Sequence, residues 1–243
     1  MIILVHGLAS AGSELHFQLD ALAARGYPAR SFDVMGHAGG YRPAPGEGYS
    51  PAALDADFAR NIAALAGDDP IDLLGHSLGA YLSLRYALAS PERVHRLVLI
   101  SPLISPRQLR PHLRLVYRYP RLASAVSGWA PAWLIERLIR LDRENAGGRL
   151  AGSTVLMAEN FKRMDGRFLS LGPLEDLSPA LAALPCPALF IIGERDDTLG
   201  FASIRRLAGQ APGAKLVRVA GGHNIHLSHP EEVNRAILEF LAN

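Results

Sequence analysis

The chain has 243 residues, 49% of them hydrophobic and 20% charged, with a formal net charge of only +2. That length supplies one sizeable core rather than two independent domains, and the composition excludes a disordered chain. So small a charge argues against nucleic acid or a membrane surface as partner, and no apolar run approaches the roughly 20 residues that cross a bilayer.

Ile2–Val5 reads as a strand: the run is short, has no basic flank and meets His6-Gly7 at once. It is not a signal peptide, and a cytoplasmic location is the expectation. Leu15–Arg25 reads as a helix stopped by Gly26, and Ala29–Asp33 as the second strand. Ser50-Pro51 opens another helix, with serine as N-cap and proline in the first turn. Strand Ile71–Leu74, helix Leu78–Ala89 and strand Arg96–Ser101 follow. After a long interruption come strand Ala188–Gly193, helix Ile204–Gln210, strand Lys215–Ala220 and a closing helix, Pro230–Leu241. This alternation predicts an α/β fold, a mostly parallel sheet with helices on both faces. Several strands are continuously apolar, as strands covered on both faces are.

The interruption, residues 103–183, contains no convincing strand and reads as a helical cap inserted between the two parts of the core, 1–102 and 184–243. Pro131–Asn145 is a helical pattern within it. The cap is an insertion and not an independent domain. The single cysteine, Cys186, excludes an intramolecular disulfide and reads as a small buried hydrophobe.

The stretch Leu73-Leu74-Gly75-His76-Ser77-Leu78-Gly79 carries the chemistry. Ser77 lies between a predicted strand and a predicted helix, so a sharp turn lifts its hydroxyl from the sheet edge. Such a turn crowds the residues two before and two after, where Gly75 and Gly79 have no side chain to clash. Helix N-terminal N–H groups then point toward the serine. A serine hydroxyl is a weak nucleophile and needs a base, which in turn needs an orienting group. His223, directly after the last strand, is the candidate base, with His226 and His229 as rivals on the same loop or the next turn. Asp196, after the penultimate strand in Gly193-Glu194-Arg195-Asp196, is the candidate acid, with Asp197 as runner-up. The N–H groups of Leu78 and of Leu8, in the loop after the first strand, are the candidate oxyanion donors. His6 reads as structural, bonding within that loop.

Together "LVHG", "DVMGHAGG", "GHSLG", "PERVHRLVLIS", "GERDD" and "GGHNIHLSHPEEV" resemble the α/β-hydrolase superfamily, over nearly the whole chain apart from the cap. The resemblance implies a Ser-His-Asp triad of Ser77, His223 and Asp196, a pocket between sheet edge and cap, and no metal or organic cofactor. Most members carry two further antiparallel strands before the His-Gly loop, so the expected fold lacks the first N-terminal strands. Short plant-type methylesterases and hydroxynitrile lyases are similar at this end. "GERD" and "GGHNIH" are also similar to the menaquinone-pathway lyase, but that branch has an arginine where this chain has Tyr81.

Between Leu103 and Asp176 the local charge balance is +5, from 12 Lys and Arg against 7 Asp and Glu. Arg107, Arg110 or Arg114 would meet a substrate carboxylate or phosphate, or else form a solvated helix face. Tyr81, Trp129 and Trp133 are the candidate substrate contacts, and Tyr117, Tyr119 and Phe168 could join them or hold the cap to the sheet. The expected activity is hydrolysis of small or medium carboxylic esters, with thioesters close behind. A lyase or C–C bond hydrolase on the same triad stays open, as does a non-turnover small-molecule receptor. The oligomeric state is left open.

Overall fold

Six strands pair in parallel to form one sheet: β1 (Ile2–Val5), β2 (Ala29–Phe32), β3 (Ile71–His76), β4 (Val94–Ile100), β5 (Ala188–Gly193) and β6 (Lys215–Val219). Their spatial order is β2-β1-β3-β4-β5-β6. The computed structural model describes residues 1–109, 131, 133, 153–171, 174–196 and 198–242. All six predicted strands are present, with ends moved by one or two residues.

The apolar strands divide their side chains between the two faces, as the period of two requires. Ile3, Val5, Leu73, Leu97, Leu99 and Phe190 face one cluster, which also buries α2 (Pro51–Ala66), α3 (Leu78–Ala89) and α5 (Phe201–Ala208). Ile2, Leu4, Leu74, Val98, Ile100 and Leu189 face the other, against α1 (His16–Ala23), α6 (Ile225–Ser228) and α7 (Pro230–Leu241). The first helical segment starts earlier than expected, as a 3-10 turn over Gly12–Leu15 that leads into α1. At α2 the Oγ of Ser50 accepts the N–H of Ala53 at 3.1 Å, and Pro51 occupies the first turn. Cys186 is half-buried rather than fully buried, and burial together with Asp72 pushes its thiol up to about 11.

Chain direction along the sheet reverses between β1 and β3: β2 lies to one side of β1, and β3 to β6 to the other. In open parallel sheets a crevice forms at the carboxyl ends of the strands where the order reverses. Residues 6–10 and 77–79 follow β1 and β3 at that point. Between β4 and β5 the described residues include helix α4 (Thr154–Lys162) and 3-10 turns, and no strand. A short loop-to-loop latch holds this segment on the core: Tyr49 donates to Oδ2 of Asp165 at 2.9 Å, and Asp165 N–H donates to the carbonyl of Gly36 at 2.7 Å. Most of the predicted helix Pro131–Asn145 lies outside the described residues. Among the described residues no helix is long and apolar enough to cross a membrane.

Candidate active site

Ser77 has φ 52° and ψ −111°, a backbone conformation that L-residues seldom adopt. The bend is held from both sides. Ser77 N–H donates to the carbonyl of Ile100, and the Ser77 carbonyl accepts the N–H of Tyr81 at 3.1 Å. A Cβ on Gly79 would lie 2.2 Å from the Val5 carbonyl oxygen, and one on Gly75 would lie 2.5 Å from Ala80. Glycine is required at both places because backbone, not a flexible side chain, fills the space.

The His223 loop is pinned against the ends of β3 and β5. Nε2–H of His76 donates to the His223 carbonyl at 3.2 Å. The N–H of Arg195 donates to the Gly221 carbonyl at 2.8 Å. A Cβ on Gly193 would sit 1.9 Å from the Gly222 carbonyl oxygen, so β5 and this loop are in backbone contact.

These contacts bring three distant side chains together. His223 Nε2 lies 3.0 Å from Ser77 Oγ, and its Nδ1 lies 2.9 Å from Asp196 Oδ2. A carboxylate only accepts, so the ring proton sits on Nδ1 and Nε2 is left to accept from the serine hydroxyl. Asp196 Oδ1 accepts the N–H groups of Thr198 and Leu199, each at 3.0 Å. Burial pushes the Asp196 carboxyl up, but the His223 charge, their hydrogen bond and the two N–H donors outweigh it and hold the carboxyl below its ordinary range. Asp197 lies outside the described residues.

Neither rival histidine makes this contact. His226 is buried with its ring 4.0 Å from that of His76, and burial, then the charge of His223, pushes it down to about 3. His229 Nδ1 bonds instead to Ser228 Oγ at 2.8 Å. His6 accepts the N–H of Val34 on Nε2 at 2.9 Å and so donates from Nδ1 to the Gly7 carbonyl at 2.8 Å. It is a neutral, buried residue that ties the loop after β1 to the loop after β2.

A cavity of about 270 Å³ opens over the serine. Leu8 and Leu78 both line it beside Ser77 and His223. The sequence reading did not single out the other walls: Glu14, Leu103, Leu109, Met157, Phe161 and Leu199. Met157 and Phe161 are one helical turn apart on α4, so the segment after β4 roofs the cavity.

Several expected substrate contacts stand elsewhere. Tyr81 is buried on α3, one turn beyond the serine, where its hydroxyl accepts the N–H of Glu175 at 3.1 Å and it lines a separate hollow with Arg85 and Leu174. One helical turn carries a side chain about 5.4 Å along the axis, away from the bend. Trp133 is 64% exposed and does not line the cavity. Phe168 is buried between His37 and Tyr49, with ring centroids 4.7 and 5.4 Å away. Arg107 is exposed and lies 3.8 Å from Asp176. Trp129, Tyr117, Tyr119, Arg110 and Arg114 lie outside the described residues.

Comparison with known proteins agrees with this architecture. The profile of the "Alpha/beta hydrolase family" matches residues 2–236. The chain is 31% identical over 258 residues to "Putative carbamate hydrolase RutD" of Klebsiella pneumoniae (strain 342), covering 100% of this chain and 91% of that protein. It is 31% identical over 208 residues to the pimeloyl-[acyl-carrier protein] methyl ester esterase of Chromobacterium violaceum, covering 81% of each. Among solved structures, a thermophilic esterase from Thermogutta terrifontis with malate bound superposes with a TM-score of 0.83 at 23% identity, over 99% of this chain and 91% of that one.

Proposed function

This chain belongs to the alpha/beta hydrolase family, and on that premise we propose that it is a serine hydrolase that cleaves small carboxylic esters through an acyl-enzyme on Ser77. The observation that carries the reading is His223 bonded to Ser77 on one ring nitrogen and to Asp196 on the other. Ser77 Oγ attacks the carbonyl carbon while Nε2 of His223 takes the hydroxyl proton. Asp196 keeps the proton on Nδ1 and stabilises the imidazolium. The N–H groups of Leu8 and Leu78 receive the oxyanion. His223 returns its proton to the departing alcohol oxygen as the carbon–oxygen bond breaks. Water, deprotonated by the same ring, then releases the acid and restores the serine.

The cavity volume, just below the usual range of about 300–1,000 Å³ for small-molecule sites, supports a small acyl group. Residues 103–183 are read as the cap that closes it. A carbamate carbonyl undergoes the same attack, and the likeness to the RutD protein over the whole chain makes it the second substrate class to try.

Fluorophosphonate labelling, with turnover of nitrophenyl esters from acetate to octanoate, tests the reading. Wild type is labelled and turns over the short esters, and Ser77→Ala loses both. Labelling without turnover of any ester, thioester or carbamate would favour a lyase or a receptor. Turnover by Ser77→Ala near the wild-type rate would remove Ser77 as nucleophile.

A further inference from the structure

Glu14 stands in the wall of the Ser77 cavity but takes no part in the serine–histidine–aspartate relay. It comes from the 3-10 turn after β1 and is 3% exposed. Its Oε1 accepts Nδ2–H of Asn160, on α4, at 2.8 Å, and the nearby Ser10 side chain also favours the ionised carboxyl. Both side chains are neutral, and among the described residues no cation pairs with it. Burial pushes this carboxyl up to about 7 against the pull of Asn160 and Ser10. Asn160 is itself buried, and among the described residues its Oδ1 has no donor.

The pair is therefore rich in acceptors and short of donors. A carboxylate offers about four lone-pair positions, and the Asn160 amide oxygen adds two more. Among the described residues the cavity lining carries no lysine or arginine: Leu103, Leu109, Met157, Phe161 and Leu199 are apolar, and besides Glu14 and Ser77 its polar members are Ser10, His76, Thr198, His223 and Asn224. A carboxyl kept in such a wall costs stability unless something that enters the cavity satisfies it.

We propose that Glu14 is a specificity residue whose carboxylate receives an N–H-bearing group of the substrate, an ammonium or a carbamoyl NH2, while Ser77 attacks the carbonyl. The inference rests on the reading of Ser77 as nucleophile. An ammonium brings three donors and the missing positive charge. A carbamoyl group brings two donors and no charge. An alkyl chain brings neither, and a substrate carboxylate adds a like charge. The expected order of preference is ammonium, carbamoyl, alkyl, carboxylate.

Four methyl esters of matched length test that order at pH 8: methyl 3-aminopropanoate, methyl 3-amino-3-oxopropanoate, methyl butanoate and monomethyl malonate. Wild type should favour the ammonium ester over methyl butanoate by about tenfold or more in kcat/KM, carried by KM. Glu14→Gln should bring that ratio near one, and Glu14→Asp should keep part of it. A wild-type ratio of one or less, or a ratio unchanged in Glu14→Gln, overturns the proposal. The wild-type ratio and Glu14→Asp decide the matter if Glu14→Gln does not fold. A binding arm separates this proposal from the one on which it rests. Propylammonium should raise the Tm of wild type and Ser77→Ala more than 1-propanol does, and should lose that advantage in Glu14→Gln. If no ester is turned over but this Glu14-dependent binding persists, the esterase reading fails and the role of Glu14 stands. If esters are turned over without preference and propylammonium does not bind, the role of Glu14 fails and the esterase reading stands.

Discussion

Nδ1 of His223 lies 2.9 Å from Oδ2 of Asp196, and that single bond decides which ring nitrogen faces Ser77. Because the carboxylate can only accept, the other nitrogen is free to take the serine proton. Asp196→Asn should present an amide N–H to Nδ1 and favour the wrong tautomer. The expected loss is about 10⁴-fold in kcat, with the fold retained, measured on the best ester found. The same carboxyl makes stability depend on pH. Its folded pKa is lowered, so its contribution is complete above the ordinary carboxylate value of about 3.9 and is lost as pH falls through the lowered folded value. Denaturation curves of wild type and Asp196→Asn should converge over that acid window.

Ser77 is held at positive φ for the sake of its position. Ser77→Gly should relieve the strain and stabilise the protein by about 1 kcal/mol, after the entropy glycine gives back to the unfolded chain. Ser77→Ala removes the hydroxyl and keeps the strain. Both should lose on the order of 10³-fold or more in turnover. A higher Tm for the glycine variant than for the alanine variant is the result to look for.

Gly193 is where β5 touches the histidine loop. A methyl group there would meet the Gly222 carbonyl oxygen, so Gly193→Ala must push the loop away. We expect a destabilisation of about 3 kcal/mol or more. We also expect a kcat loss larger than the loss of folded protein explains, because His223 moves with the loop. Activity normalised to folded fraction checks this.

Glu14 predicts a pH effect of opposite sign to that of Asp196. Its folded pKa is raised from 4.5 to about 7, so the native state holds more protons than the unfolded state across that window. Stability should therefore fall as pH rises from about 4.5 to 7. Glu14→Gln lacks this loss, and should gain on wild type by on the order of 3 kcal/mol between pH 4 and pH 8. Chemical denaturation at the two pH values gives the comparison.

The latch between Tyr49 and Asp165 holds the segment that carries α4. Tyr49→Phe removes one hydrogen bond, worth about 1 kcal/mol, and leaves the ring packing in place. Because Met157 and Phe161 roof the cavity from that segment, KM should rise more than kcat falls. Steady-state kinetics of the variant test the split.

What the sequence by itself determined is what depends on neighbours along the chain. Alternating apolar strands and helices dictate a parallel sheet, and the glycines at 75 and 79 mark a bend too tight for side chains. The order of Ser77, Asp196 and His223 follows from which strand each one succeeds. Tertiary structure alone decided which way a side chain points and which remote segment it meets. It set His223 rather than His226 beside the serine, turned Tyr81 into a different hollow and left Trp133 in solvent. It also carried Asn160 across 146 positions of sequence to Glu14, beside the serine cavity. Backbone sterics and hydrophobic period are local and show in a few residues, whereas the meeting of two distant side chains depends on the packing of every element between them.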